Sequence, residues 1–313
     1  MSCSCDNIKL GNTGSTNCDP IAQVAKKLIF VETYDSTGAL NKYDPATPLT
    51  QIVFDALVNQ VDTSKRWYPS DLIEGVAGER ADNIIETAGS GRNFFVKEGE
   101  RNFIGEYWAK SATYLKKIKA SRCADFSVFV IDADGNLIGM DDSDNYLYPI
   151  QIDKESLQFK LMTATDTTVQ KIQFQFQWDS SEKDENLSMI TADDITADLL
   201  KSKGLLDVNM AVVSCGQTSL VVKMTTDFGS VGNKIVDTGL LITNFFSAVG
   251  GTASRLFNVT TSTAVTITNV TESPKGTYTF TYASQTVANV LRVTPAKNGR
   301  DYSTVPNVVC TVA

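Results

Sequence analysis

The 313-residue chain contains no histidine. That absence excludes a Ser-His-Asp triad, a Cys-His dyad, imidazole metal ligation and any histidine acid or base. Positive charge is the scarcer sign: 28 Lys and Arg stand against 36 Asp and Glu, a net of −8. That is the wrong balance for gripping nucleic acid phosphates or anionic lipid. Long apolar runs are missing as well. The most apolar stretch, Leu240 to Val249, is broken by Thr243, Asn244 and Ser247, and falls short of the roughly 18 residues needed to cross a bilayer. Met1 to Asp6 has neither a basic segment nor an apolar one, so no secretory signal is expected and the chain reads as soluble. Six cysteines are few for a disulfide-stapled module and suggest thiols kept in a reducing cytosol.

Three of them, Cys3, Cys5 and Cys18, cluster near the start. A thiolate zinc site wants four ligands at short paired spacings; here there are three, in a C-x-C pattern, with no histidine to complete the set. The reading is a flexible N-terminal arm over 1–24, rich in Asn, Gly, Ser and Thr between Asn7 and Asn17, with no metal and no cofactor.

What is present is ordinary globular material, 42% hydrophobic and 20% charged, long enough for about two domains. Leu28-Ile29-Phe30-Val31 reads as a buried strand closed by the turn Asp35-Ser36-Thr37-Gly38. Thr50 is placed to cap a short helix carrying Ile52, Val53, Ala56 and Leu57. After a loop with Trp67, Tyr68 and Pro69, a hairpin is expected in which Asn93–Lys97 returns as Arg101–Tyr107 around Glu98-Gly99-Glu100. Trp108, Ala112, Leu115 and Ile118 then fall three or four apart, predicting an amphipathic helix laid on a sheet. A second hairpin, Phe126–Ile131 with Asn136–Met140, turns at Asp134-Gly135.

Two strands alternate strictly. Leu157, Phe159 and Leu161 oppose Gln158 and Lys160; Ile172, Phe174, Phe176 and Trp178 alternate with Gln173, Gln175 and Gln177. The apolar side is core, and the glutamine side is wet or pairs laterally. A last helix is expected from Ala192 through Ile195, Leu199 and Leu200 to a C-cap at Gly204.

At Gly204 the composition changes. Residues 205–313 hold seven basic and five acidic groups, leaving 21 and 31 for residues 1–204. Short Val/Thr-rich strands recur: Val208–Val213, Ser219–Met224, Gly239–Thr243, Ala264–Val270, Thr277–Tyr282, Val290–Val293 and Val308–Val312. That spacing predicts an immunoglobulin-like β-sandwich. The expected architecture is therefore mainly β: an arm over 1–24, a β-sandwich or barrel with flanking helices over 25–204, and the immunoglobulin-like domain over 205–313.

Motifs that could carry chemistry are weak. Asp132, Asp134 and Asn136, with Asp141, Asp142 and Asp144 nearby, suggest a cation loop, but Leu137 and Ser143 stand where a calcium loop needs glycine and an acid; a hairpin turn is the better reading. Ser180 and Lys183 have dyad spacing in a charged, solvated loop where the lysine would be a poor base. Gly89-Ser90-Gly91-Arg92 opens a strand rather than a helix, so a phosphate cradle fails on context. Trp67, Tyr68, Trp108 and Trp178 read as core or subunit contacts. No catalytic residue is assigned.

The order of strands, hairpin-bearing loop, one helix laid on the sheet and further strands resembles the tail tube proteins of tailed bacteriophages. Lys27–Tyr34, Phe94–Tyr107, the helix Ala109–Ala120 and Val169–Trp178 carry the resemblance. It implies a virion protein assembled in the host cytoplasm, stacking as hexameric rings with other tail proteins around a lumen through which DNA slides without specific binding. No enzyme activity and no membrane partner are expected, from the missing motifs, the short apolar runs and the charge balance above. Other virion structural roles, neck or capsid decoration, share this evidence. A carbohydrate-binding or adhesive β-sandwich protein is the alternative, suggested by the sandwich and exposed aromatics, and an enzyme ranks last.

Overall fold

A computed structural model describes residues 21–122, 124–245, 255–293, 295, 299–302 and 308–313. The Cys3, Cys5 and Cys18 arm lies outside the described residues. Among the described residues the chain is mainly β, built from antiparallel sheets with two short α-helices, and three buried clusters organise it.

The strand Ala25–Glu32 sits inside a seven-stranded sheet, hydrogen-bonded to Phe126–Asp132 on one side and Tyr68–Pro69 on the other. Its residues alternate between two cores rather than between core and water. Leu28, Val128, Val130 and Ile138 enter one cluster; Ile29, Val31, Phe129, Ile131 and Leu137 enter the other. A sheet buried on both faces reads as a continuous apolar run, as Leu28-Ile29-Phe30-Val31 does. The hairpin at Asp134-Gly135 forms with Val130 opposite Ile138 and Ile131 opposite Leu137.

One face is covered by a four-stranded sheet in the order Gln158–Met162, Lys171–Gln177, Arg101–Trp108, Glu74–Arg80. The helix Ala112–Ala120, capped by Ser111, adds Tyr114, Leu115 and Ile118 to the same core. Trp108 belongs to the preceding strand and not to that helix. The other face is covered by the helix Gln51–Val58, whose Thr50 hydroxyl accepts from the Val53 amide as expected. Its buried side chains are Phe54 and Val58; Ile52 points to water at 82% exposure. A 100° turn per residue puts Phe54 and Val58, four apart, on one stripe from which Ile52 is excluded.

Three sequence expectations are corrected. The helix expected from Ala192 to Gly204 is only a 3₁₀ turn, Ala192–Asp194. Beyond it the amides of Thr196 and Ala197 both donate to Leu49 O, and Ile195 bridges Leu49 in parallel. Ile195 and Leu199 reach the core from this non-helical segment. Second, Asn93–Lys97 does not return as Arg101–Tyr107. It pairs with Ile84–Thr87, while Arg101–Trp108 pairs with Glu74–Arg80 and Lys171–Gln177. The chain runs on through Glu98-Gly99-Glu100: Ala81 N donates to Glu100 O and Gly99 N to Asn83 Oδ1. A Cβ on Gly99 would sit 1.6 Å from Ala81 O, so only glycine fits this crossing. Third, Gly239–Thr243 is not a strand; a 3₁₀ turn, Ile242–Phe245, stands at its end.

Residues 208–312 enclose the third cluster between a six-stranded and a four-stranded sheet, an immunoglobulin-like β-sandwich with Val208, Val222, Phe280 and Leu291 at its centre. Its one parallel ladder among the described residues pairs Leu206–Asp207 with Arg300–Asp301. Polar contacts tie it to the preceding sheets. Lys117 pairs with Asp207 and, at 2.9 Å, with Asp227, its Nζ lying 5.3 Å from the Phe228 ring centre; Arg66 meets Asp301.

Candidate binding surface

The outer face of the four-stranded sheet is built by strict alternation. On Arg101–Trp108, Phe103, Gly105 and Tyr107 are buried, leaving Asn102, Ile104, Glu106 and Trp108 outward. On Lys171–Gln177, Ile172, Phe174 and Phe176 are buried, which turns Lys171, Gln173, Gln175 and Gln177 out. Register sets these in rows: Gln177 opposite Asn102, Gln175 opposite Ile104 and Gln158, Gln173 opposite Glu106 and Lys160. Inside, Phe103, Tyr107, Phe174 and Phe176 stack at centroid distances of 4.6 to 6.4 Å. The wet glutamine face and aromatic core face agree with the sequence pattern.

A groove of about 320 Å³ opens on this face, lined by Asn102, Ile104, Ser156, Gln158, Gln175 and Gln177. Gln175 Nε2 donates to Gln158 Oε1 at 3.4 Å, and Gln177 Nε2 to Glu100 Oε2 at 3.5 Å. Ser156 Oγ accepts from the Gln177 amide and donates to Asp153 O, which fixes one wall. Further along, Trp108 is 51% exposed, and its Nε1 donates to Glu106 Oε2 at 3.0 Å. Lys171 Nζ lies 2.8 Å from the Glu106 carboxylate and 5.6 Å from the Trp108 ring centre.

The other sequence candidates are structural. Asp132 is fully buried, and its carboxylate accepts from the amides of Gln23, Asp134 and Asn136 and from Asn136 Nδ2. Those hydrogen bonds hold it below the usual carboxylate range even though burial opposes them. The loop is a closed knot, and among the described residues no group of three His, Cys, Asp or Glu is placed for a metal ion. Ser180 and Lys183 are both exposed, with Lys183 at the start of the 3₁₀ turn Asp184–Asn186. Gly89 to Arg92 is the tip of the hairpin Ile84–Thr87/Asn93–Lys97, closed by Ala88 N to Arg92 O. Both strands of that hairpin are exposed throughout, including Ile84, Ile85, Phe94, Phe95 and Val96. Trp67 is core, packed against Tyr43, Phe54 and Phe129. The expectation of free thiols fails at Cys215, which is disulfide-bonded.

Two features escape the sequence pattern. Lys27 is buried, its ammonium donating to Leu200 O at 3.2 Å and to Ser202 O, and desolvation brings its pKa down to about 8. A lysine beside Lys26 at a strand's start reads as exposed, and no local signal marks its carbonyl partners 173 and 175 residues away. Lys42 Nζ lies 3.5 Å from the Tyr146 ring centre and 3.4 Å from Asp144, whose carboxylate accepts from Tyr148 OH at 2.6 Å. Both are internally satisfied.

No protein-family model and no curated protein matches the chain. Among solved structures it is similar to the Escherichia coli adhesin FdeC, at 14% identity over 82% of this chain and 71% of that one, with a TM-score of 0.20. At that score the likeness transfers no function. The tail tube expectation is nonetheless corrected here. Phe94–Tyr107, one of the stretches that carried the resemblance, is not the hairpin it was read as: Asn93–Lys97 pairs with Ile84–Thr87 and Arg101–Trp108 with Glu74–Arg80.

Proposed function

We propose that this chain is a non-catalytic adhesive β-sandwich protein that holds a ligand on the outer face of its four-stranded sheet. The observation that carries the reading is that face: a register of outward Asn102, Gln158, Gln173, Gln175 and Gln177, with a groove between them and an aromatic core behind. An amide both donates and accepts and carries no charge, so such a face suits recognition rather than proton transfer. The internally bonded state of Asp132, Lys27 and the Lys42–Asp144–Tyr148 set supports the same view, because each charged cluster is committed to the fold. The Cys215 disulfide adds support, since disulfides persist where proteins meet oxidising surroundings. The test is attachment of particles coated with the full chain to glycan-coated and protein-coated surfaces, with soluble chain as competitor. Competable attachment is expected; particles that attach no better than albumin-coated ones overturn the reading.

A further inference from the structure

The geometry points to the groove between Asn102, Gln158 and Gln175 as a subsite for a neutral, polyhydroxylated saccharide, extended along the sheet to Trp108. This deepens the adhesive reading and rests on it. Three observations converge on the ligand's chemistry.

The first is charge. The residues lining the groove are Asn102, Ile104, Ser156, Gln158, Gln175 and Gln177, with Phe176 whose ring is in the core behind, and none of them is ionisable. In a chain with 64 ionised Lys, Arg, Asp and Glu residues, a surface groove without one is a selective environment. An anionic sugar would find no cation in the lining to offset its desolvation, and a phosphorylated ligand would meet Glu100 beside Gln177.

The second is hydrogen-bonding capacity. Among the described residues Gln175 Nε2 donates to Gln158 Oε1, which leaves Gln175 Oε1 as an acceptor and Gln158 Nε2 as a donor on two residues that line the groove. The Asn102 amide makes no side-chain hydrogen bond among the described residues. A vicinal diol presents one donor and one acceptor within reach of a single planar amide, so these groups match a sugar edge without a metal. Ser156 is held by Asp153 and Gln177, and its partners orient the wall rather than compete for ligand.

The third is the apolar component. Ile104 lies between the amides, opposite Gln175, and offers a surface for the C–H face of a sugar ring. Trp108 stands four residues along the same strand face, about 13 Å away at 3.3 Å per residue. Its ring is half exposed and its tilt is fixed by the bond to Glu106. A saccharide of several units lying along the strand spans from the groove to that ring, where stacking would add to the amide contacts.

The experiment is isothermal titration and saturation-transfer NMR of the full chain with neutral glucose, galactose and mannose oligosaccharides of increasing length, with a sialylated oligosaccharide as the charged control. At least one neutral series is expected to bind, and the sialylated control to bind weaker. Gln175→Leu and Gln158→Leu should each weaken that binding roughly tenfold, equivalent to about 1.4 kcal/mol, with unchanged melting temperature. Trp108→Ala should remove the gain in affinity with saccharide length and leave the shortest ligand unaffected. Should either leucine variant fold poorly, Asn102→Asp, an isosteric change at an outward position, serves the same purpose by placing a charge in the groove. Absence of neutral saccharide binding, or binding indifferent to all these changes, overturns the inference. If particles still attach competably in that case, the adhesive reading stands and only the ligand class is wrong; if they do not, both fail. A shift in sedimentation of Gln175→Leu without a change in saccharide binding would instead make this face a contact between copies of the chain, and would also overturn it.

Discussion

Arg66 Nη1 donates to Asp301 Oδ2 at 2.6 Å, joining residues 235 positions apart, and both side chains are nearly buried. The same guanidinium donates through Nε to Gln60 O. The loop bearing Trp67 and the Arg300–Asp301 strand are thus pinned by one planar group. Removing it leaves a carboxylate short of its cation in a poorly hydrated site, which costs more than the pair itself contributes. Arg66→Ala should destabilise the chain by about 3 kcal/mol, and Arg66→Lys should recover only part of this because a lysine cannot serve both acceptors in one plane. Chemical denaturation of the three proteins checks it; equal stability of all three would show the pair to be idle.

The alternating strand predicts a sidedness that stability measurements can read. Phe174 is 1% exposed inside the aromatic stack, and Phe174→Ala should cost about 3–5 kcal/mol through lost burial and a cavity. Gln175→Ala, one residue along and outward, should change the melt by less than about 0.5 kcal/mol. Similar losses in both would mean that the outer face is covered in solution.

Gly105 lies opposite Phe174 in the ladder, and a Cβ there would fall 2.7 Å from both the Phe174 ring and Ile73. Gly105→Ala should therefore destabilise by about 1–3 kcal/mol through overpacking, and Phe174→Leu in the same chain should relieve part of that loss. Additive effects of the two substitutions in a double-mutant cycle would contradict the contact.

This alternation was legible in advance because a period of two needs only the strand itself. The two hairpins around Gly99 were not. Whether Asn93–Lys97 turns back or runs on depends on Asn83 and Ala81, which reach the chain at Gly99 and Glu100 only after folding. The segment after Ala192 failed for a related reason: apolar residues at Ile195, Leu199 and Leu200 satisfy a helical spacing, yet the Leu49 carbonyl captures the amides that a helix would need. The binding face was half visible. Its glutamines stand in the sequence, but the placing of Asn102, Ile104 and Trp108 beside them is set by a pairing that spans some 70 residues.

Lys27 gives a pH signature. Its folded pKa of about 8 lies below the ordinary 10.5, so between these values the unfolded chain holds a proton that the folded chain has lost, and stability rises with pH. Below about pH 8 both states are protonated and the burial penalty is fully present. Above pH 10 buried tyrosines such as Tyr278, pushed up to about 12, oppose further gain. Stability should climb from pH 8 to 10 by at most about 3 kcal/mol, and Lys27→Met should abolish that slope. Urea titrations at three pH values decide it; a wild-type curve flat or falling over this window refutes the assignment.

The immunoglobulin-like sandwich has its own core, built from residues 208–312, and we propose that it unfolds separately. A chain ending at Gly204 should stay folded, with its melt insensitive to reductant, whereas reducing the Cys215 disulfide in the full chain should lower one transition alone by about 2–5 kcal/mol. Calorimetry with and without dithiothreitol tests this, and a single transition that moves as a whole would join the two cores into one cooperative unit.

The hairpin from Ile84 to Lys97 has a practical consequence. Both of its strands are exposed from end to end and its tip, Gly89 to Arg92, is closed by bonds between Ala88, Gly91 and Arg92 and, at its base, between the Thr87 and Asn93 side chains. A foreign peptide spliced in at Ser90 would lengthen a loop whose ends are already held together, and loop closure grows only slowly with length. The molecule thus carries a natural display post, on which an epitope or a fluorescent label can be set without asking any of the three cores to rearrange.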